Sequence, residues 1–367
     1  MQAASQNVPV TLTLSELLPK LLAAIDLTRS QAAQLVSAML AAETPDAQIA
    51  AALTLLVAKG ECSDELAGFA DALYLHVRPI EIPSDLLDTA GTGASTVKTF
   101  NVSTAAAFVI AAAGCAIAKH GARASTSRSG SADVLTALGV RIDCESQIAV
   151  RCLRELGICF LFAPQYHPAL ARVAPIRRAL GIRTTFNLVG PMVNPVRAQY
   201  RLLGVADQAR ISDVAGALSQ IGVARAWVLR GSDGLDEITT NGATQVLEVR
   251  AGQANQPLTI SPLDFGLTES PTLAARATSV EDNAATVRAV LLGQRRTASC
   301  DLGVARDLVV LNAAAALHVR TGDGLRECAA RAQRAIEDGS ALAKLEALIA
   351  MSQSPCSEAP APETGDL

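Results

Sequence analysis

The chain has 367 residues, half of them hydrophobic and only 3% aromatic, with a net charge of −4. That length exceeds one typical domain and supplies a large core, and the small aliphatic composition favours alternating helices and buried strands over an all-β fold. The mild charge gives no electrostatic case for nucleic acid as a partner, and the apolar run at 105–118 is too short and too closely flanked by polar loops to span a bilayer, so neither is expected.

Residues 1–10 read as a flexible lead without the basic start and apolar core of a signal peptide. From Leu12 to Leu75 apolar residues recur at helical spacing. Thr28 with Gln31 forms a capping box, Thr44 followed by Pro45 reads as an N-cap with proline at the first helical position, and Ser63 caps a helix whose first turn carries Asp64 and Glu65. A small helical domain over 11–76 is predicted. The stretch 77–83, with Pro79 and Pro83, is a linker.

Beyond it the character changes. Leu86-Leu87 is a short strand running into a glycine loop, Asp88-Thr89-Ala90-Gly91-Thr92-Gly93. Asn101-Val102-Ser103-Thr104 opens a buried helix over 105–113. A strand at 116–118 ends in the loop Lys119-His120-Gly121-Ala122-Arg123, which continues through Ala124, Ser125, Thr126 and Ser127 to Ser131. A helix at 134–138 and a strand at 158–162 follow. Each strand feeds a polar loop, the layout of an α/β sheet that binds ligand at its strand C-terminal ends.

The segment 164–199, rich in Pro, Arg and Asn, interrupts this layout; part of it is expected to return to the helical domain and close over the site. Strands resume at 202–205, 226–229 and 244–249, a loop covers 255–271, and helices are predicted at 283–292, 307–318 and 325–349. The tail 352–367 reads as flexible. The predicted architecture is therefore α/β, with a central, mostly parallel sheet flanked by helices over 84–163 and 200–350, and a separate small helical domain. Eight cysteines with no CxxC pair read as buried reduced thiols of a cytoplasmic protein.

Several polar groups suit phosphate. Gly91-Thr92-Gly93 alone is equally a tight turn; it lacks the third glycine of a dinucleotide fingerprint and the Gly-Lys-Ser/Thr of a P-loop. Asn101, Ser103 and Thr104 precede a helix, where side chains and unpaired amides hold an anion or simply cap. Lys119 and Arg123 beside Gly121 fit a diphosphate better than a solvated run, whereas a lone histidine such as His120 is more often packed than catalytic. Asp236-Glu237, at a strand end, is a hard-oxygen pair of the type Mg²⁺ uses when it also takes phosphate oxygens, or else a solvated acidic turn. Arg177, Arg178 and Arg183 could pair a substrate carboxylate or face solvent. No Ser-His-Asp order or zinc spacing stands out. A phosphate-bearing, Mg²⁺-assisted transfer is the simplest combination.

The order of motifs resembles the anthranilate phosphoribosyltransferases of tryptophan biosynthesis. The resemblance runs from about Leu14 to Ile349. It is carried by Gly91-Thr92-Gly93, Phe100-Asn101-Val102-Ser103-Thr104, Lys119-His120-Gly121, Ser129-Gly130-Ser131-Ala132-Asp133-Val134-Leu135, Arg183-Thr184-Thr185-Phe186-Asn187-Leu188-Val189-Gly190-Pro191, Asp236-Glu237 and Asp282-Asn283-Ala284. It implies the architecture shared by nucleoside phosphorylases and these transferases, a homodimer, and transfer of phosphoribose from phosphoribosyl diphosphate to anthranilate. By position, Gly91, Ala94, Ser95, Thr99, Asn101, Val102, Ser103, Thr104 and the run Lys119 to Ser127 with Ser131 would hold the donor. Gly91, Ala122 and Arg177 would meet anthranilate, with Arg177 on its carboxylate; Ser103, Asp236 and Glu237 would hold Mg²⁺, two ions per subunit. The chain departs from the family where Ala94-Ser95 replaces Gly-Asp, and where Ala122 replaces the Asn that normally contacts the anthranilate amine. The alternatives are a relative that uses another aromatic amine or base, a nucleoside phosphorylase, and a non-catalytic binding protein on the same fold.

Overall fold

The computed structural model describes residues 13–83, 85–93, 95, 97–124, 129–294 and 301–354. Four helices come first: α1 (Leu14–Leu22), α2 (Arg29–Leu40), α3 (Asp46–Lys59) and α4 (Ser63–Leu75). Their apolar faces, with Leu17, Leu35, Leu53 and Phe69 fully buried, meet in a shared core. The cap of α2 is the reciprocal pair expected: Gln31 N donates to Thr28 Oγ1 at 3.3 Å, and Thr28 N to Gln31 Oε1 at 3.2 Å. Two caps differ from expectation. Helix α3 is capped by Pro45, and the Thr44 hydroxyl instead donates to Ala38 O at 2.6 Å. Helix α4 is capped by Cys62, whose N–H donates to Glu65 Oε2 at 3.0 Å; Ser63 is already inside the helix.

The sheet then begins with β1 (Leu87–Gly91), followed by α5 (Val102–Ala112), β2 (Ile117–Gly121), α6 (Ser131–Ala137), α7 (Ser146–Leu156) and β3 (Ile158–Phe162). Short helices α8 (Ala163–Tyr166), α9 (Ala174–Leu180) and α10 (Thr185–Val189) occupy the interrupting segment. The sheet resumes with β4 (Tyr200–Gly204), α11 (Ile211–Gln220), β5 (Arg225–Gly231), β6 (Thr244–Arg250) and β7 (Gln256–Ile260). The chain ends in α12 (Val280–Leu291), α13 (Leu302–Thr321), α14 (Leu325–Glu337) and α15 (Ser340–Ser352).

Strand order is β3-β2-β1-β4-β5-β6-β7, parallel from β3 to β5 and antiparallel at β6 and β7. The direction of winding reverses between β1 and β4. Helices leave on opposite sides there, so a crevice opens beyond the strand C-termini, the usual ligand position in such sheets. Side chains alternate across the sheet. Leu202 and Trp227 join the core with α5 and α13, while Leu203 and Val228 join the one that holds α11 and the N-terminal bundle. Val173, Ile176, Phe186 and Met192 of the interrupting segment belong to that second core. Helix α13 is long and apolar enough to cross a membrane by length and composition, but 78% of that window is buried inside the protein.

Four sequence expectations need correction. Asp88 to Gly91 is strand, not loop, and so are Lys119 to Gly121. Their polar side chains sit on parallel strands that pair along their whole length with their outer neighbours, for example Lys119 with Phe160 and Thr89 with Leu202. The loop expected at 255–271 contains the edge strand β7, exposed along Gln256 to Thr259 and thus lacking an apolar pattern. The single helix expected at 325–349 is broken, because Gly339 takes a left-handed φ of 77° between α14 and α15. Of the expected flexible tail, Ser352 closes α15 and residues beyond 354 lie outside those described.

Candidate active site

The C-terminal ends of β1, β4 and β5 converge on Asp236. Its Oδ2 accepts from Gly93 N at 2.9 Å, which ties the turn after β1 to the loop after β5. The approach leaves no room for side chains. A Cβ on Gly204 would lie 1.5 Å from Asp236 O, and one on Gly91 would lie 2.7 Å from Asp236 Oδ2. Ser95 fastens the same two loops, since its buried hydroxyl donates to Gly234 O at 2.8 Å.

Lys119, only 4% exposed, comes off β2 into the same place. Its Nζ donates to Thr89 O at 2.8 Å and to Ser103 Oγ at 3.3 Å. Burial pushes the ammonium down to about 8, against the opposing pull of Asp88 and Glu237. Ser103 is the hinge of the cluster: its hydroxyl faces Lys119, and its N–H donates to Glu237 Oε1 at 3.1 Å. Burial, then the neighbouring Asp236, drives the Glu237 carboxyl well above the usual range; burial also raises Asp236. Among the described residues, no lysine or arginine lies within ion-pair distance of either carboxylate. Two desolvated carboxylates side by side without a cation are a physical fit for a divalent metal.

The N-terminus of α5 differs from the expectation of unpaired amides. Val102 N donates to Phe100 O, Ser103 N to Glu237 and Thr104 N to Asn101 O. A tight first turn has used these donors, so Ser103 Oγ and Lys119 Nζ carry the polarity instead. Asn101 is fixed at both ends: its N–H donates to Asn283 Oδ1 at 2.8 Å, and its Oδ1 accepts from Ser129 Oγ at 2.8 Å. Val102 and Thr104 are fully buried, and Thr104 Oγ1 faces the core without a partner. Half-buried Thr99 donates to Phe100 O.

After β2, Asp133 gathers the loop. It accepts from Ala124 N at 2.8 Å, Gly130 N at 2.9 Å and Arg123 Nη1 at 3.1 Å. Burial raises this carboxyl, but those donors outweigh it and hold it below the usual range. Arg123 pairs with Asp133 while its side chain remains 55% exposed. Ser131 starts α6 beside Gly121, where a Cβ would meet Ser131 Oγ at 2.1 Å. Ala122 is exposed at the mouth of this loop. His120 is buried, its ring 5.2 Å from that of His167 and its Nε2 without a partner; burial keeps it neutral, well below the usual imidazole range. Ala94, Ser125, Thr126 and Ser127 lie outside the described residues.

Across the crevice, Arg183 Nη2 donates to Thr92 O at 2.9 Å and joins the interrupting segment to the glycine turn. Arg177 is held by Thr184 Oγ1 at 3.1 Å and Asn187 Oδ1 at 3.3 Å, with its guanidinium 5.3 Å from the Phe186 ring centre. Burial lowers its affinity for the proton, and among the described residues no carboxylate pairs with it. A half-buried arginine kept in place by neutral groups is suited to an anion from outside. Arg178 is exposed.

One other group among the described residues has metal-type ligands in mutual reach: Asp26, Cys62 and Glu65. Lys59 Nζ already sits between Asp26 Oδ1 at 2.5 Å and Glu65 Oε2 at 2.9 Å and occupies the place a cation would take.

Comparison with known proteins adds relatives. A family described as "Glycosyl transferase family, a/b domain" matches residues 83–342, and "Glycosyl transferase family, helical bundle domain" matches 15–76. The chain is 46% identical over 327 residues to an anthranilate phosphoribosyltransferase of Herpetosiphon aurantiacus, covering 88% of this chain and 94% of the relative. The crystal structure of anthranilate phosphoribosyltransferase from Thermus thermophilus matches with a TM-score of 0.83 at 35% identity, over 92% of this chain and 99% of that one. The Saccharomyces cerevisiae enzyme in complex with PRPP and Mg matches with a TM-score of 0.82 at 27% identity, over 92% and 97%.

Proposed function

The chain belongs to the anthranilate phosphoribosyltransferases of the glycosyl transferase family, and on that premise we propose that it transfers phosphoribose from phosphoribosyl diphosphate to the amine of anthranilate, releasing diphosphate, in tryptophan biosynthesis. The observation that carries the proposal is the pairing of Lys119, Ser103, Asp236 and Glu237 at one strand-end crevice with an arginine, Arg177, that lacks a carboxylate partner.

The residues divide the work by charge. Lys119 and Ser103 Oγ face the diphosphate; Gly91, Asn101, Gly121 and Ser131 shape the cradle around the sugar phosphate. Asp236, Glu237 and Ser103 would hold Mg²⁺, two ions per subunit. Mg²⁺, when bound, neutralises the charge that builds on departing diphosphate. Breaking the C1–O bond leaves its electron pair on that diphosphate, and Lys119 is placed to stabilise it. The amine nitrogen supplies the pair for the new N–C1 bond. Arg177 orients anthranilate by its carboxylate, and closure of the 164–199 segment over the crevice excludes water. The neutral aromatic amine needs no strong protein base.

Wider features belong to the same proposal. The helical part is 11–76, and the α/β part is 84–163 with 200–350. A cytoplasmic location is supported by the thiols of Cys62, Cys115, Cys144, Cys152, Cys159 and Cys328, all unpaired. A homodimer is supported by exposed Leu22 and Ile25 on the N-terminal bundle.

Anthranilate fluorescence, followed with phosphoribosyl diphosphate and Mg²⁺, is the test. Consumption dependent on both additions is expected. Arg177→Ala should raise the anthranilate KM by about 10- to 100-fold, the worth of a charge-assisted hydrogen bond, with the donor KM little changed. No consumption, with turnover of another amine in a parallel panel, would overturn the choice of acceptor.

A further inference from the structure

We propose that Asn312 is a positioning residue that sets the divalent-metal affinity of the Asp236-Glu237 pair; this rests on the proposed function only in assigning the metal to those carboxylates. Asn312 interrupts an apolar run of α13 that is buried all round, Val309-Val310-Leu311-Asn312-Ala313-Ala314, and is 4% exposed. A buried amide costs stability unless its polar atoms are bonded. Here they are. Oδ1 accepts from Ile238 N at 3.0 Å, and Nδ2 donates to Ile238 O at 3.1 Å and to Leu308 O at 2.9 Å.

The clamp grips both backbone groups of one residue, and that residue directly follows Glu237. Its other bond, to Leu308 O, lies within α13, so the helix fixes the amide plane and the amide fixes the turn. Asn312 also lines a cavity of about 10 Å³ together with Thr89, Ser103, Asp236 and Glu237, so it adjoins the carboxylates themselves. Gly93 N holds Asp236 and Ser103 N holds Glu237. The acidic pair is thus pinned by the turn after β1 and the first turn of α5, and the residue after it by α13. Without the Asn312 clamp the two carboxylates would rotate with their turn, and a metal site bound by both would lose affinity before it lost any group that meets the organic substrates. Removing such a supporting partner elsewhere typically costs about 10- to 100-fold in metal affinity.

The test is Mn²⁺ titration of the full chain by electron paramagnetic resonance, alone and with phosphoribosyl diphosphate. Asn312→Leu, similar in volume, is compared with Leu311→Ala, which destabilises the same helix without touching the clamp. Asn312→Leu should weaken Mn²⁺ binding by about tenfold or more and raise the half-saturating Mg²⁺ in turnover by a similar factor. The anthranilate KM at saturating Mg²⁺ should stay within about twofold. Leu311→Ala should lower Tm yet leave Mn²⁺ binding unchanged. If Asn312→Leu fails to fold, Asn312→Ala, which removes both bonds to Ile238 without adding charge, takes its place with the same expectation. Unchanged Mn²⁺ affinity in the folded variant, or an equal shift in Leu311→Ala, overturns the proposal, as does a wild-type chain that binds no Mn²⁺. A wild type that binds Mn²⁺ but leaves anthranilate untouched sinks the acceptor assignment alone, because the Mn²⁺ comparison still decides the role of Asn312.

Discussion

Lys119 shows what the site costs the fold. A buried ammonium would ordinarily need a carboxylate at contact distance; this one has Thr89 O at 2.8 Å and Ser103 Oγ at 3.3 Å, and burial lowers it to about 8. The folded value lies below the ordinary lysine value of 10.5, so the unfolded chain binds the proton more tightly. Stability therefore rises as pH climbs from about 8 to 10.5, and the full penalty is present below 8. Lys119→Met removes that slope. The difference in Tm between wild type and Lys119→Met should shift in favour of wild type across this window, and stay flat between pH 6 and 7 by this group's account. Turnover of Lys119→Met should fall by about 100-fold or more at pH 7.5, since a donor aimed at developing charge is lost. Parallel melting curves with no change of their difference between pH 8 and 10 would show that the ammonium is better solvated than its surroundings indicate. Sequence reading placed Lys119, Asp236 and Glu237 at strand ends because each follows a buried apolar run. Asn312 was not singled out. Its only signal is one amide in an apolar helix, and its partner, Ile238, is 74 residues away.

At the scale of elements, the loop after β2 depends on one carboxylate. Asp133 accepts from Ala124 N, Gly130 N and Arg123, so the first turn of α6 and both ends of the described loop are tied together. Asp133→Ala leaves two backbone N–H groups to find water and frees Arg123. The donor KM should rise by about tenfold, as expected for loss of charge-assisted bonds at a half-exposed site, while the anthranilate KM and Tm change little. Steady-state kinetics with each substrate varied separately checks this; equal rises in both KM values would place Asp133 in general folding instead. The same loop shows why sequence reading drew element boundaries wrongly. Polar, small residues such as Asp88, Thr89, Lys119 and His120 have loop composition, yet pair as parallel strands, since nonlocal partners β3 and β4 supply their hydrogen bonds. Strand β7 was invisible for the converse reason: Gln256, Pro257, Leu258 and Thr259 are exposed at an edge, where no alternation is required. The helical bundle and the mostly parallel order were legible, the first from apolar residues at helical spacing and the second from short apolar runs alternating with helices.

For the whole molecule, the polar groups described around the crevice lie on β1, β2, the loop after β5, the start of α5, and α9. The proposed dimer would need an apolar face to cover. The bundle offers the apolar surface. In α1, Leu14, Leu17 and Leu21 are buried, whereas Leu22 is 75% exposed and Ile25 is 53% exposed. Between them Ala24 adopts a left-handed φ of 54°, a conformation that costs about 1–2 kcal/mol for a residue with a Cβ and that ends the helix abruptly. Single exposed leucines are ordinary on a protein surface. Two at a helix end beside a strained turn are a more pointed arrangement, since covering them would recover apolar burial of about 1.5–3 kcal/mol for each side chain. The double variant Leu22→Glu with Ile25→Glu should convert a two-chain particle to a single chain by light scattering, lower Tm at micromolar concentration, and leave kcat per chain within about threefold. A wild type that is already monomeric, or a double variant that remains paired, would remove this face from the interface. Loss of kcat far beyond threefold in a folded monomer would instead show that the partner stiffens the bundle against which Phe186, and with it Arg177, is packed.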